Sequence, residues 1–98
     1  MSKSVSEVLD HLAGLTDLRS EMEERGIKGV PSSAHACVIS NYVRQETGQT
    51  VSTVPGALYV REYLGEDHDY EIITYDLPLN VAAFANLFDD GAYPELER

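Results

Sequence analysis

The chain has 98 residues and a formal net charge of −10, with 43% hydrophobic and 24% charged residues. This length and composition predict a single globular domain, residues 1–98, and exclude a disordered chain. No apolar run approaches the roughly 18 to 20 residues of a membrane-spanning helix, and the acidic N-terminus lacks the apolar segment of a signal peptide. The one cysteine, Cys37, cannot form an internal disulfide, which fits a reducing compartment. We therefore expect a cytoplasmic protein with no membrane contact.

The negative charge is concentrated towards the C-terminus. Residues 1–61 contain seven acidic and six basic residues, whereas residues 62–98 contain ten acidic residues and one base, Arg98. Such a surface repels the phosphate backbone of nucleic acids and attracts basic surfaces. We therefore expect a protein partner with a basic surface, and no direct nucleic-acid binding.

The first predicted element is a helix from about Val5 to Arg25. Ser4 and Glu7 have the spacing of a capping box, and apolar residues recur behind them at helical intervals. Gly14 is a weak point, at a cost of about 1 kcal/mol relative to alanine. His11 lies on the polar side and has no partner by spacing. The acids of that side are expected to be solvated: Glu7, Asp10, Asp17, Glu21 and Glu24.

A second helix is predicted from about Ala34 to Thr47, with its N-cap at Ser32 or Ser33 and its end at Gly48. Its apolar residues cover a broad arc of the helix surface. We therefore expect it to be the most buried helix of the chain.

A short strand, Gln49 to Val54, precedes two β-branched and aromatic runs between Ala57 and Leu77. The two runs flank a polar turn, which indicates an antiparallel hairpin. A five-residue turn, Gly65 to Asp69, would place Glu62 on the same face as the apolar residues. A four-residue turn, Gly65 to His68, sorts the two faces better and is the register that we predict.

In the predicted register Leu58 pairs with Tyr75 and Val60 with Ile73, at the cost of placing Glu62 opposite Glu71. One face then carries Leu58, Val60, Ile73, Tyr75 and Leu77. The other face carries Tyr59, Arg61, Tyr63, Tyr70, Ile72 and Thr74. The pattern does not decide which of these faces the helices cover.

A third helix is predicted to begin at Pro78 and to end at Gly91. Its apolar stripe consists of Val81, Phe84, Ala85 and Phe88, with Leu87 beside them. Tyr93 and Leu96 in the tail are expected to pack back on the domain. The element order α-α-β-β-β-α predicts an α+β fold, in which a three-stranded antiparallel sheet packs against helices.

Parts of this pattern also occur together in other small proteins. A cysteine opens a helix that ends in a tyrosine and a basic residue, three strands follow, and the closing helix ends in FD-G-YP-L. The residues concerned are Cys37, Tyr42, Arg44, Phe88, Asp89, Gly91, Tyr93, Pro94 and Leu96. The pattern resembles small uncharacterised proteins of actinobacteria and their phages, although those often have proline where this chain has Val38. The resemblance implies a bacterial or phage cytosolic setting and no particular mechanism.

Cys37 is the one candidate nucleophile that the helix pattern suggests, because a helix N-terminus favours a thiolate and His35 is close in sequence. Residues two apart on a helix do not face each other, and Cys37 falls on the apolar arc. We interpret it as a buried core cysteine and predict no catalytic residue. A small thiol-dependent enzyme remains the less favoured alternative.

Two acidic segments are candidate sites as well. The turn Glu66 to Asp69 contains oxygen and imidazole groups, but the chain has no metal-ligand spacing, so we predict no metal and no cofactor. Asp89 and Asp90 oppose the dipole at the end of the third helix, and such a local violation is sometimes functional.

The residue types of the second hairpin face are those enriched in protein interfaces. The predicted function is a non-enzymatic protein-binding accessory factor, of phage or bacterial origin, and the alternative is a structural domain that forms a homodimer. The candidate contact residues are Tyr59, Arg61, Tyr63, Tyr70, Asp67, Asp69, Asp89 and Asp90.

Overall fold

The structure is a computed structural model that describes residues 4–63 and 70–98, without the side chains of residues 62 and 63. These residues form the helices α1 (Val5–Ala13), α2 (Leu18–Glu24), α3 (Val38–Thr47) and α4 (Leu79–Asp89). They also form the strands β1 (Thr50–Val54), β2 (Ala57–Tyr63) and β3 (Tyr70–Asp76), and a 3₁₀ turn at Pro94–Leu96. The predicted α+β fold with a three-stranded antiparallel sheet is confirmed. In the described part of the chain no helix combines the length and apolar character that crossing a membrane requires.

The sheet has the strand order β1-β2-β3, and both neighbouring pairs are antiparallel. Leu58 pairs with Tyr75 and Val60 with Ile73, as predicted for the four-residue turn, and the alternative register is wrong. The turn itself, predicted at residues 65–68, lies outside the described residues.

One face of this sheet is covered by the helices. Val51, Leu58 and Val60 have no exposed surface and belong to a single apolar cluster with residues of α1, α2, α3 and α4. In α4 the predicted stripe is buried, whereas Leu87 beside it is 47% exposed. Alternation in the strands and helical spacing in the helices therefore direct their apolar residues into one core.

The predicted long first helix is wrong, because the chain forms two helices that separate at residues 14–17. The carboxylate of Asp17 caps α2 by accepting hydrogen bonds from the backbone N–H of Ser20, at 3.1 Å, and from its hydroxyl, at 2.7 Å. The amide of Asn80, in α4, donates to the carbonyl oxygen of Leu12 at 2.9 Å. A cap on one side and a donor from α4 on the other thus stabilise the break.

The second predicted helix begins four residues later than expected, at Val38 instead of Ala34. The carbonyl oxygen of Ala34 accepts hydrogen bonds from the backbone N–H of Thr53 and from the hydroxyl of Ser40. Because this oxygen bonds to Thr53 of β1 and to the Ser40 side chain, residues 34–37 turn before α3 and are not helical. The predicted end is confirmed, since Gly48 has a φ of 74° at the helix C-cap.

The C-terminal tail packs back on the domain, as predicted. Leu96 is 1% exposed, and the ring of Tyr93 stacks on that of Phe84 with centroids 4.8 Å apart. The backbone of Gly29 forms an isolated parallel bridge with Glu97. The tail is therefore part of the fold.

Candidate functional site

The face of the sheet away from the helices carries large apolar side chains that are exposed. Tyr59 is 41% exposed, Tyr70 50% and Ile72 52%. Their strand neighbours Leu58 and Val60 are fully buried, because successive side chains of a strand point to opposite faces. We call Tyr59, Arg61, Tyr70, Ile72 and Thr74 the open face.

Arg61 and Tyr70 are in direct contact on the open face. The guanidinium carbon of Arg61 lies 4.5 Å from the centre of the Tyr70 ring. A cation held over an aromatic ring keeps its charge while covering part of the ring, with a strength of about 0.5–1 kcal/mol at exposed sites. The pair therefore offers a flat surface with a positive charge, suited to contacts with apolar and polar groups.

The pairing of β2 with β3 extends beyond the end of β1. β1 pairs with residues 57–61 of β2, so that residues 62 and 63 pair with β3 alone. In the backbone register Tyr63 lies opposite Tyr70, but its side chain is outside the described part of the structure. Asp67 and Asp69 also lie outside the described residues, and their predicted role in binding stays a prediction.

Asp89 and Asp90 lie elsewhere, at the C-terminal end of α4, whose apolar stripe packs on the covered side of the sheet. The carboxylate of Asp89 accepts a hydrogen bond of 2.9 Å from the backbone N–H of Ser32. Ser32 has a φ of 62°, which is uncommon for a residue with a side chain. Asp89 therefore stabilises a turn, and the structure does not bring the two aspartates together with the tyrosines.

Cys37 is at the N-cap of α3 and is 3% exposed, as expected for a core cysteine. Burial raises the pKa of its thiol, which favours the neutral form. His35 is engaged elsewhere, with its Nδ1 atom 2.9 Å from the Ser52 hydroxyl. These contacts favour a structural role for Cys37.

A cleft of about 280 Å³ lies beside Cys37. Two of its hydroxyl groups are bonded within the protein: Ser33 accepts from the backbone N–H of Ala36, and Thr53 bonds to Ser40 at 2.7 Å. Asp89, also in its lining, is held by Ser32. These three side chains of the lining are thus engaged within the protein.

A cluster of charged and polar groups joins α1, α2 and α3. One carboxylate oxygen of Glu21 lies 2.6 Å from the hydroxyl of Tyr42, 2.9 Å from Arg25 Nε and 3.2 Å from His11 Nε2. Arg25 also forms an ion pair with Glu46. The prediction that Glu21 is solvated is wrong, and His11, which has no partner by spacing, has one in α2. The Glu21–Arg25 spacing of four residues was the one sign of this cluster in the sequence.

The contacts of Glu21 affect its protonation. The hydrogen bond from Tyr42 holds the pKa of the Glu21 carboxyl below its ordinary value, and His11 and Arg25 act in the same direction. Burial raises the pKa of the Tyr42 hydroxyl, so it remains a donor at neutral pH. These groups satisfy each other, which indicates a structural cluster.

Among the described residues, no three histidine, cysteine or acidic side chains come together as a metal site. Comparisons of the chain with models of protein families, with curated proteins and with solved structures found no match. The resemblance to actinobacterial and phage proteins therefore stays a prediction, and the open face is the strongest candidate for a functional surface.

Proposed function

We propose that this chain is a non-enzymatic protein-binding module whose contact surface is the open face. The observation that carries the proposal is the exposure of Tyr59, Tyr70 and Ile72 together on one side of the sheet. Apolar side chains exposed singly are ordinary, but a contiguous group rimmed by polar residues is typical of an interaction site. Tyrosine and arginine, in contact here, are also enriched at such sites.

Charge supports a partner with a basic surface. The chain carries a net charge of −10, and the acids Glu71 and Asp76 are exposed near the two ends of β3, the strand that carries Tyr70 and Ile72. Long-range attraction between opposite charges accelerates encounter and fixes the orientation of the two proteins. The partner that fits has an apolar patch for the tyrosines and basic residues around it.

The setting that we propose is the bacterial cytoplasm, with the chain acting as a bacterial or phage accessory factor that modulates a host protein. It is supported by the single buried cysteine and by the FD-G-YP-L resemblance. Binding without catalysis is favoured because Cys37 is buried as a neutral thiol.

The test of the apolar contact is a quantitative pull-down from actinobacterial lysate. The double variant Tyr59→Ser/Ile72→Ser is expected to lose the protein that the native chain retains, because it removes two of the exposed apolar side chains. A matched control is Leu79→Ser/Leu87→Ser, which removes apolar groups that are 90% and 47% exposed on α4. Equal retention by both variants would refute the open face as the contact surface.

A second pair of variants tests the charge. Glu71→Lys/Asp76→Lys is expected to weaken retention, and the weakening should shrink as salt is raised, because exposed charges are screened. Asp10→Lys/Glu24→Lys makes the same change in net charge at exposed acids of α1 and α2. If both pairs weaken retention equally, net charge alone is responsible and the partner needs no basic surface at this position.

A further inference from the structure

The two outer edges of the sheet differ in whether the fold occupies them. Along β1, the backbone N–H of Thr53 donates to the carbonyl oxygen of Ala34 at 2.9 Å, and Arg44 approaches the carbonyl oxygen of Val51 at 3.4 Å. The segment before α3 and the α3 side chain therefore occupy this edge. The other edge is β3, which follows β2 in the strand order.

The direction of the β3 backbone groups follows from one hydrogen bond. The N–H of Leu77, the residue after β3, donates to the carbonyl oxygen of Gly56, the residue before β2. The backbone of Leu77 therefore faces β2. Because backbone groups alternate in direction along an antiparallel strand, Ile73 and Tyr75 also face β2, and Ile72 and Thr74 face outward. In the part of the chain that the structure describes, the outward N–H and C=O groups of Ile72 and Thr74 have no hydrogen-bond partner.

This edge lacks the features that usually prevent strand pairing. The register of β3 with β2 is continuous over seven residues, without a bulge, and the strand contains neither proline nor lysine. Natural edge strands are commonly blocked by such residues or by a bulge. The charges on β3 are those of Glu71 and Asp76, and neither carboxylate forms an ion pair within the described residues.

We propose that β3 binds an extended cationic segment of the partner protein, which adds to the sheet as a fourth, antiparallel strand. The inference rests on the proposed function, because it names the segment that the same surface recognises. Strand addition gives affinity through the main chain and specificity through alternate side chains. A second copy of this chain is a poor occupant, since each copy carries a net charge of −10.

The register makes the recognised pattern specific. A segment paired with β3 places one residue opposite Glu71 and another opposite Asp76, five positions apart. Two cations with that spacing neutralise both carboxylates. Between them, a residue opposite Ile72 lies on the open face, and residues opposite Ile73 and Tyr75 lie on the covered side, where β-branched apolar side chains fit.

The first experiment titrates the ¹⁵N-labelled chain with the peptide Gly-Ser-Lys-Val-Thr-Val-Val-Lys-Gly-Ser, blocked at both ends. In the antiparallel register its two lysines lie opposite Asp76 and Glu71. We expect saturable shifts centred on the amide signals of Ile72 and Thr74. A permuted peptide with Val-Lys-Thr-Val-Lys-Val in the centre has the same composition and is expected to bind about threefold or more weakly, because neither lysine faces a carboxylate.

Two N-methylated peptides separate strand addition from attraction by charge alone. Methylation of the threonine and of the second consecutive valine removes the N–H groups that would bond to β3. Binding should then weaken about tenfold or more. Methylation of the other two valines removes N–H groups that face away, and binding should be retained. Equal affinity of the two methylated peptides, or loss with the second one instead, would overturn the proposal.

The matching variant in the protein is Thr74→Pro, which removes an outward N–H without removing a bond to β2. Thr74→Ala is its control and keeps the N–H group. Peptide binding should be lost in the first variant and kept in the second. Binding by a folded Thr74→Pro chain would contradict pairing at the β3 edge. If it does not fold, the methylated peptides still decide. In the lysate experiment, a protein that is lost with Tyr59→Ser/Ile72→Ser but retained with Thr74→Pro would overturn edge pairing. The open face would then still be the contact surface.

Discussion

Gly29 lies where two segments of backbone cross closely. Its N–H donates to the carbonyl oxygen of Leu96 at 2.8 Å, and its carbonyl oxygen accepts from the N–H of Arg98 at 3.0 Å. A Cβ atom at this position would lie 2.7 Å from the carbonyl oxygen of Ala36, which is backbone and cannot rotate away. Glycine is therefore required here by space, so that the tail and the turns before α3 pack against each other.

Replacing Gly29 by alanine is expected to lower the free energy of unfolding by about 1–3 kcal/mol, because the new methyl group overpacks a backbone contact. The urea midpoint measures this change. Gly14→Ala is the control, since a Cβ there would lie 3.7 Å from its nearest neighbour, an ordinary contact. That variant should be as stable as the native protein or more stable. A loss in both variants alike would refute the steric explanation.

The elements α1, α2 and α3 are joined by the cluster around Glu21. Tyr42 is 1% exposed, so its hydroxyl needs a partner inside the protein, and Glu21 provides it. The guanidinium carbon of Arg25 lies 5.3 Å from the centre of the Tyr42 ring, which places a cation beside the same carboxylate. Helix α2 thus contacts α3 through a charge-assisted hydrogen bond as well as through apolar residues, and His11 of α1 bonds to the same Glu21 carboxylate.

Tyr42→Phe is expected to lower the free energy of unfolding by about 1–3 kcal/mol at pH 7, because the charged carboxylate loses a buried donor. The pKa of Glu21 is lowered in the folded state, so its stabilising contribution is present above its unfolded pKa and is lost as pH falls. The difference between native protein and variant should therefore shrink below about pH 4.

Urea unfolding at several pH values measures this dependence. Tyr93→Phe is the control, because the Tyr93 ring is stacked on Phe84 and its hydroxyl has no hydrogen-bond partner in the described structure. Its effect should not change with pH. A Tyr42→Phe loss that stays constant from pH 7 to pH 3 would contradict the role of the Glu21 charge.

The whole molecule combines an apolar open face with a strong net charge. The open face and the β3 edge are features that promote association, and the homodimer is the alternative that they support. The net charge of −10 acts against it, because two copies repel each other before they come into contact. The balance between these effects depends on salt.

Sedimentation velocity across protein concentrations is expected to find a monomer at low salt. Self-association should increase at about 1 M salt, where the Debye length falls to about 3 Å and repulsion is screened. The variant Tyr59→Ser/Ile72→Ser should remain monomeric in both conditions. A dimer at low salt would favour the homodimer as the native form of the protein.

Local patterns in the sequence were sufficient for several elements. Alternation along β2 and β3 predicted the pairing of Val60 with Ile73, because a slip of one residue would have reversed both faces. The stripe of α4 and its end at Gly91 were predicted as well, since helical spacing and turn residues act over a few positions. The register thus predicted which residues share the open face.

Tertiary contacts decided the rest. The break after α1 is held by Asn80, 68 residues from its acceptor Leu12, and the start of α3 is held by the bond from Thr53 to Ala34. The covered face of the sheet was ambiguous, because both faces of the hairpin carry apolar residues and only the packing of the helices distinguishes them. Burial against distant segments, which no local pattern encodes, also gave Glu21 its partners and left Tyr59 and Ile72 exposed.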